Sequence, residues 1–241
     1  VAAARLHRAR GRLEAGLTLV EGPHVLAEAL SCGIRPETVF YLEEDGATPE
    51  LIAAWPGADV ELVPVTPAVL ARVAGTEHPR GPVAVIPVPA TEPASGRDVV
   101  MIEVGEPGNA GTLIRSAAAF GFDVVFSPGA VDPWSPKVVR GAAGGHFHAR
   151  LVDATSLHGR AHLVSVVADG LSVDQAMSAL DGPIVLVVGN ETRGAEPVRF
   201  GSTAVPVTIP MVASLDSLNA SVAGSILMYE IAKHRAAFSH R

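Results

Sequence analysis

Two periodicities alternate along the chain. Short runs rich in Val, Ile and Leu fall at residues 17–20, 39–42, 60–65 and 83–88, and segments with helical spacing, 24–30, 49–54 and 67–73, lie between them. Strand-like runs alternating with helical patterns predict an α/β layer fold. Residues 87–96, Pro-Val-Pro-Ala-Thr-Glu-Pro-Ala-Ser-Gly, carry neither period and read as a linker. The chain is therefore expected to hold a first domain over 1–88, a linker over 89–97 and a second domain over 98–241.

The second domain restarts with the run Val99-Val100-Met101-Ile102-Glu103-Val104, apolar but for Glu103, followed by 123–126, 163–167, 184–188 and 205–209. Continuous rather than alternating apolar runs suit strands covered on both faces, as in a parallel sheet. Helices are predicted over 110–120 and 217–234, the latter with Leu218, Val222, Ile226 and Tyr229 on one stripe.

Three turns in this second half carry the candidate chemistry. In the first, Glu106-Pro107-Gly108-Asn109-Ala110-Gly111-Thr112-Leu113-Ile114-Arg115, a strand ends and a helix opens. Asn109 is a suitable N-cap. Arg115 follows Gly111 by four residues and shares its helix face, where a guanidinium meets either a phosphate or ribose oxygen or an ordinary surface carboxylate. The second turn, Gly189-Asn190-Glu191-Thr192-Arg193-Gly194, sits at the carboxyl end of a strand, the place where open α/β sheets bind ligands. It lacks both the P-loop lysine and the dinucleotide pattern G-x-G-x-x-G, which weighs against a nucleotide-dependent oxidoreductase. In the third, Ile209-Pro210-Met211 precedes Asp216-Ser217-Leu218-Asn219-Ala220-Ser221, with Asp216 or Ser217 expected to cap the last helix.

Charge and composition narrow the alternatives. Net charge is -7, spread evenly: seven basic and eleven acidic residues in 1–90, eleven and fourteen in 91–241. That balance lacks the basic footprint of many nucleic-acid binders. The first twelve residues are the exception, holding Arg5, Arg8, Arg10, Arg12 and His7 with no acid. Such a cluster either neutralises phosphates or forms a solvated, frayed terminus. A single cysteine, Cys32, excludes an intrachain disulfide and suits a reducing compartment. No run is long enough to span a membrane and no secretion signal opens the chain, so the expected location is cytoplasmic. His146 and His148 alternate as a structural pair on a strand would, without further ligands at metal spacing, so no metal is expected.

In this order and spacing, the three turns resemble the motifs of the SpoU/TrmH family of RNA 2′-O-ribose methyltransferases, within the SPOUT superfamily. The matching residues are Asn109-Ala110-Gly111-Thr112-Leu113-Ile114-Arg115-Ser116-Ala117, then Gly189-Asn190-Glu191-Thr192-Arg193-Gly194, then Ile209-Pro210-Met211 with Ser217-Leu218-Asn219-Ala220-Ser221-Val222-Ala223. The first domain is similar to the L30e-like substrate-binding domain found ahead of that catalytic domain, through Leu19-Val20-Glu21-Gly22 and Gly81-Pro82-Val83-Ala84-Val85. Ala213 and Ala220 depart from the family's usual glycine and valine.

The resemblance implies a C-terminal trefoil knot, a homodimer joined through the last helix, and S-adenosyl-L-methionine as cofactor. It implies RNA as substrate, ribosomal (23S) favoured over transfer RNA. Cofactor contacts would come from Gly189, Ile209, Pro210, Met211, Leu218 and Ala220. Asn109, Arg115, Glu191, Ser217 and Asn219 would line the catalytic end, with Arg115 acting on the ribose hydroxyl. The rival expectation is a non-catalytic RNA-binding module that keeps the fold; the joint presence of Asn109, Arg115, Glu191 and Asn219 speaks against it.

Overall fold

The computed structural model describes residues 2–54, 60–79, 81–166, 169–189, 204–212 and 217–239. Contacts divide the chain into two compact units: 1–90 together with 132–148, and 91–131 together with 149–241. The chain thus passes between units three times, after residues 90, 131 and 148.

The first unit opens with a 3-10 turn, Ala2–His7, and helix α1, Ala9–Ala15. Then follow β1 (Leu17–Glu21), α2 (Pro23–Ser31), β2 (Thr38–Leu42), α3 (Ala47–Ala53), β3 (Glu61–Val65), α4 (Pro67–Ala74) and β4 (Val83–Pro87). The sheet order is β1-β4-β2-β3, with β2 and β3 parallel and β4 antiparallel to both its neighbours. Each strand lies within two residues of its expected position.

The N-terminal segment differs from a frayed basic tail. Ala3 and Leu6 join Leu19, Phe40, Leu70, Val73 and Val85 in the core of this unit. His7 Nε2 lies 2.8 Å from the Val73 carbonyl. Arg12 is 5% exposed; it donates to the Leu6 carbonyl at 2.7 Å and forms an ion pair with Asp132. A guanidinium so engaged is not offered to phosphates, whereas Arg5, Arg8 and Arg10 remain exposed.

Residues 132–148 complete this unit through α6, Pro136–Ala142, and a 3-10 turn, Gly145–Phe147. Thr18 Oγ1 donates to the Trp134 carbonyl at 2.7 Å, and Arg140 pairs with Glu21 at 2.9 Å. His146 therefore lies within a tight helical turn and His148 directly after it, not on a strand. His146 is buried, its ring 4.8 Å from that of Trp134, and its Nε2 lies 2.8 Å from the Pro133 carbonyl. Three Gly residues and the positive φ of Ala143 and Gly144 turn the chain too tightly for extended pairing.

The second unit contains β5 (Val99–Ile102), α5 (Pro107–Phe120), β6 (Asp123–Phe126), β7 (His162–Ser165), α7 (Val173–Ser178), β8 (Val185–Val188), β9 (Ala204–Val207) and α8 (Ala220–Ser239). Its five strands are all parallel, in the order β6-β5-β8-β7-β9. The valines that read as continuous apolar runs are buried: Val99, Val100, Val185 and Val187 have no exposed surface.

The residues read as a linker are fastened to this unit. The backbone of Glu92 bridges to the strand-like Val152, and Ser156 Oγ accepts from the Ala94 N–H at 2.8 Å. Asp123 accepts from both the backbone and the hydroxyl of Ser95. Arg160 donates to the carbonyls of Ser95 and Arg97 at 2.6 and 2.7 Å. Side chains outside the segment supply what its own Pro- and Ala-rich sequence cannot.

Candidate functional site

The site follows from strand order. β5 leads through α5 to β6 on one side, while β8, its other neighbour, is followed in sequence by β9 on the far side. The connections after β5 and β8 thus part in opposite directions. In an open parallel sheet that divergence leaves a crevice at the carboxyl ends of the two strands. Ile102 and Val188 are paired there, and the Glu103 N–H donates to the Val188 carbonyl at 3.1 Å. Gly189, the next residue, is buried. The first and second motifs therefore begin side by side.

The third motif starts at the far edge, since Val207 ends β9. Thr208 is tied to Leu171 by its backbone N–H at 3.0 Å, and Ile209 and Met211 are half-buried while Pro210 is exposed. The chain then returns to α8, which packs on α5 and β8. The close approach depends on Gly224: a Cβ there would lie 2.5 Å from Leu113 Cδ2 and 2.9 Å from Val188 Cγ2.

The two helix starts meet through side chains. Asn219 Oδ1 accepts from the backbone N–H groups of Ser221 and Val222 at 2.9 and 3.3 Å, which is N-cap geometry. With its oxygen so fixed, its Nδ2 turns outward and donates to Asn109 Oδ1 at 3.0 Å. Ser221 Oγ, 5% exposed, lies 3.1 Å from Asn109 Oδ1 and 2.7 Å from Asn219 Oδ1. Farther along the two helices, the hydroxyls of Ser116 and Ser225 are 2.7 Å apart.

Both expected caps are corrected by this geometry. Glu106, not Asn109, caps α5, accepting from the Asn109 N–H at 2.6 Å, with Pro107 in the first turn. Pro107 fixes the helical φ three residues earlier than the apolar pattern does, and this frees the Asn109 side chain to reach α8. At the other helix Asn219 takes the capping role expected of Asp216 or Ser217; Ser217 is exposed, and Asp216 lies outside the described residues.

Arg115 is exposed on α5 and has no hydrogen bond or ion pair among the described residues, so the surface ion pair is not formed there. Leu218 and Ala220 flank Asn219 and are half-buried. Glu191, with the second motif beyond Gly189, lies outside the described residues. The sequence did not single out Ser221 as a bridging group, although its place two residues after Asn219 at a helix start is the signal for one.

The stripe of Val222, Ile226 and Tyr229 on α8 is exposed, while Ser221, Gly224, Leu227, Met228 and Ile231 face the unit. A cavity of about 440 Å³ occurs elsewhere, at the opposite strand ends, bordered by Asp98, Phe122 and Pro183. It touches none of the three motifs.

Residues 97–229 match the model of the SpoU rRNA Methylase family. The chain belongs to that family. Residues 2–84 match an MRM3-like substrate binding domain. The bounds of the SpoU match include 132–148, although in packing those residues join the first unit.

This SpoU family member is 31% identical, over 94% of its length and 93% of the relative's, to the 23S rRNA (guanosine(2553)-2′-O)-methyltransferase RlmP of Bacillus subtilis. It superposes on the SpoU methyltransferase AviRb of Streptomyces viridochromogenes, solved in complex with AdoMet, with a TM-score of 0.81 at 27% identity, covering 98% of this chain and 96% of that one. An AdoMet-bound rRNA methyltransferase from Sinorhizobium meliloti shares the fold, with TM-score 0.81 at 23% identity over 97% and 93% of the two chains.

Proposed function

We propose that this protein transfers a methyl group from S-adenosyl-L-methionine to a ribose 2′-hydroxyl of RNA, with 23S ribosomal RNA as its substrate. The observation that carries the reading is the Asn109–Asn219–Ser221 joint at the β5/β8 crevice, formed by motif residues from opposite ends of the family match. The Bacillus subtilis relative's ribosomal substrate and the AdoMet held by AviRb support the substrate and donor.

The residues present suit the donor. Gly189 brings buried backbone to a strand end, and Ile209, Met211, Leu218 and Ala220 offer half-buried apolar surface with Pro210 beside them. Backbone amides and carbonyls among apolar side chains are what a purine and an amino-acid moiety need. When bound, S-adenosylmethionine supplies a methyl group already activated on a sulfonium.

The protein's task is then the hydroxyl, a poor nucleophile until its proton departs. A free guanidinium is too weak a base for that. Arg115, exposed and without a carboxylate partner among the described residues, instead holds an RNA phosphate and stabilises the charge developing on the ribose oxygen. Asn109 and Asn219 fix the α5 and α8 starts.

The finer architecture belongs to the same proposal: a trefoil knot formed by the C-terminal segment, a cytoplasmic homodimer, and an RNA-recruiting first unit. The exposed stripe Val222, Ile226 and Tyr229 supports the dimer, since its spacing suits self-complementary helix packing across a twofold axis.

The test is to incubate the protein with labelled donor and either ribosomal or transfer RNA and to map the modified nucleotide. A 2′-O-methyl group on 23S RNA is expected. Modification of transfer RNA alone would refute the substrate, and no transfer to either would refute the activity. Arg115→Ala should keep donor affinity and lose most turnover; wild-type turnover would remove Arg115 from the mechanism.

A further inference from the structure

Within the first unit, and apart from all three motifs, a thiol, an imidazole and a carboxylate stand in line. Cys32 is the chain's one cysteine, and its thiol is free and exposed. Its Sγ lies 3.9 Å from His148 Nδ1. The other ring nitrogen, Nε2, lies 2.6 Å from Glu28 Oε2. The hydrogen bond from His148 holds the Glu28 carboxyl below its ordinary range.

An ionised carboxylate only accepts, so Nε2 must carry the hydrogen between them. In the neutral ring this leaves the Nδ1 lone pair directed toward the thiol. The tautomer is therefore fixed by Glu28, and it is the one that can accept a proton from Cys32.

The arrangement is built from separated segments. Cys32 caps the carboxyl end of α2, and His148 follows the 3-10 turn 116 residues later. Gly144, with φ of 94°, lets the backbone pass close to the carboxylate; a Cβ there would stand 2.8 Å from Glu28 Cγ. The carbonyl end of a helix disfavours a standing negative charge on the sulfur. A base able to take the proton as the sulfur attacks resolves that conflict. Nucleophile, base and orienting group in hydrogen-bond sequence are the elements of an activated nucleophile. Among the described residues no group of His, Cys, Asp and Glu is placed to hold a metal ion, so metal binding does not compete for these three.

We propose that Cys32 is a thiol–disulfide exchange site for low-molecular-weight disulfides, with His148 as its general base and Glu28 orienting the ring. In the step, the S–H bond of Cys32 breaks and its proton passes to His148 Nδ1. The Cys32 sulfur bonds to one sulfur of the incoming disulfide, whose S–S bond breaks. The second sulfur leaves with the electron pair and takes the proton from Nδ1. Cys32 is oxidised to a mixed disulfide and the leaving sulfur is reduced to a thiol, so no further oxidant is required.

The full-length protein, incubated with glutathione disulfide at neutral pH, should gain a single glutathione by intact mass. His148→Ala should slow the addition roughly tenfold, an order below what an enclosed base supplies, because this ring is half exposed. Glu28→Gln, which keeps the side-chain shape, should fall between the two. Free imidazole in the buffer should restore much of the rate to His148→Ala, an effect that altered folding would not produce. With far-UV spectra matching wild type, a His148→Ala rate equal to or above wild type overturns the proposal. So does an unslowed Glu28→Gln variant.

Discussion

The side-chain amide of Asn219 donates to the side-chain carbonyl of Asn109 over 3.0 Å, joining two helix starts 110 residues apart in sequence. Its direction follows from the backbone. Two N–H groups of α8 claim the Asn219 oxygen, so only its nitrogen is left to face α5. Asn109 must then present oxygen, which also lies within reach of the Ser221 hydroxyl.

Asn109→Ala removes an acceptor shared by Asn219 and Ser221. A stability loss of about 1 kcal/mol is expected from the unpaired donors. Methyl-transfer turnover should fall by more than about tenfold, since misplacing a reacting group costs more than the bond itself. Thermal unfolding and steady-state kinetics on the same preparation check both. A normal rate in a destabilised protein would confine the joint to structure.

Gly224→Ala forces a methyl against Leu113 and Val188, both buried without slack. Overpacking of this kind costs about 1–3 kcal/mol. For a protein of this size each kcal/mol lowers Tm by about 2–4 °C. Adding Leu113→Val should recover part of the loss, and the double-mutant cycle measures it. An additive outcome would show that α8 does not bear on Leu113.

His146 gives an acid-sensitive term. Burial depresses its pKa from 6.5 to about 4, partly offset by the hydrogen bond to the Pro133 carbonyl. The unfolded ring thus binds a proton from about pH 6.5 downward, whereas the folded ring resists until about pH 4. Stability contributed by the neutral ring is complete above that window and declines as pH falls through it, by about 3 kcal/mol in all. Denaturant unfolding at pH 7.5 and pH 4.5 should show the decline in wild type and less of it in His146→Gln. Equal slopes would exclude His146 as the source.

Arg12→Ala should destabilise the protein by about 2 kcal/mol: it leaves the Leu6 carbonyl and Asp132 without their cation, but Asp132 keeps partial access to water. The salt dependence of RNA binding should be unchanged, because Arg12 is not available to phosphates. A shallower salt slope would return Arg12 to the RNA-binding surface.

Much of this was legible in the chain. The strands of the second unit are legible because runs such as Val185–Val188, buried along their whole length, are short and β-branched, which separates them from a buried helix. The helix starts were misjudged by the same reliance on apolar residues: Pro107 and Glu106 open α5 before the pattern begins, and Asn219 outcompetes Ser217 at α8 by position alone. On α8 the apolar stripe was visible but its direction was not. The face toward the unit combines the small Ser221 and Gly224 with Leu227, Met228 and Ile231, which leaves Val222 and Ile226 of the expected stripe on the exposed side. Short α6 and α7 left too few turns to show a period. The burial of Arg12 depended on Asp132, 120 residues away, beyond any local reading.

The threefold passage of the backbone between units bears on how such proteins can be recombined. A chimera made by exchanging residues 1–90 for those of another family member would strip Asp132, Trp134, Arg140 and His148 of the groups they hold. Residues 1–90 are therefore not a detachable cassette. Their transplantation would have to carry 132–148 with them, so that the two stretches evolve under a shared constraint.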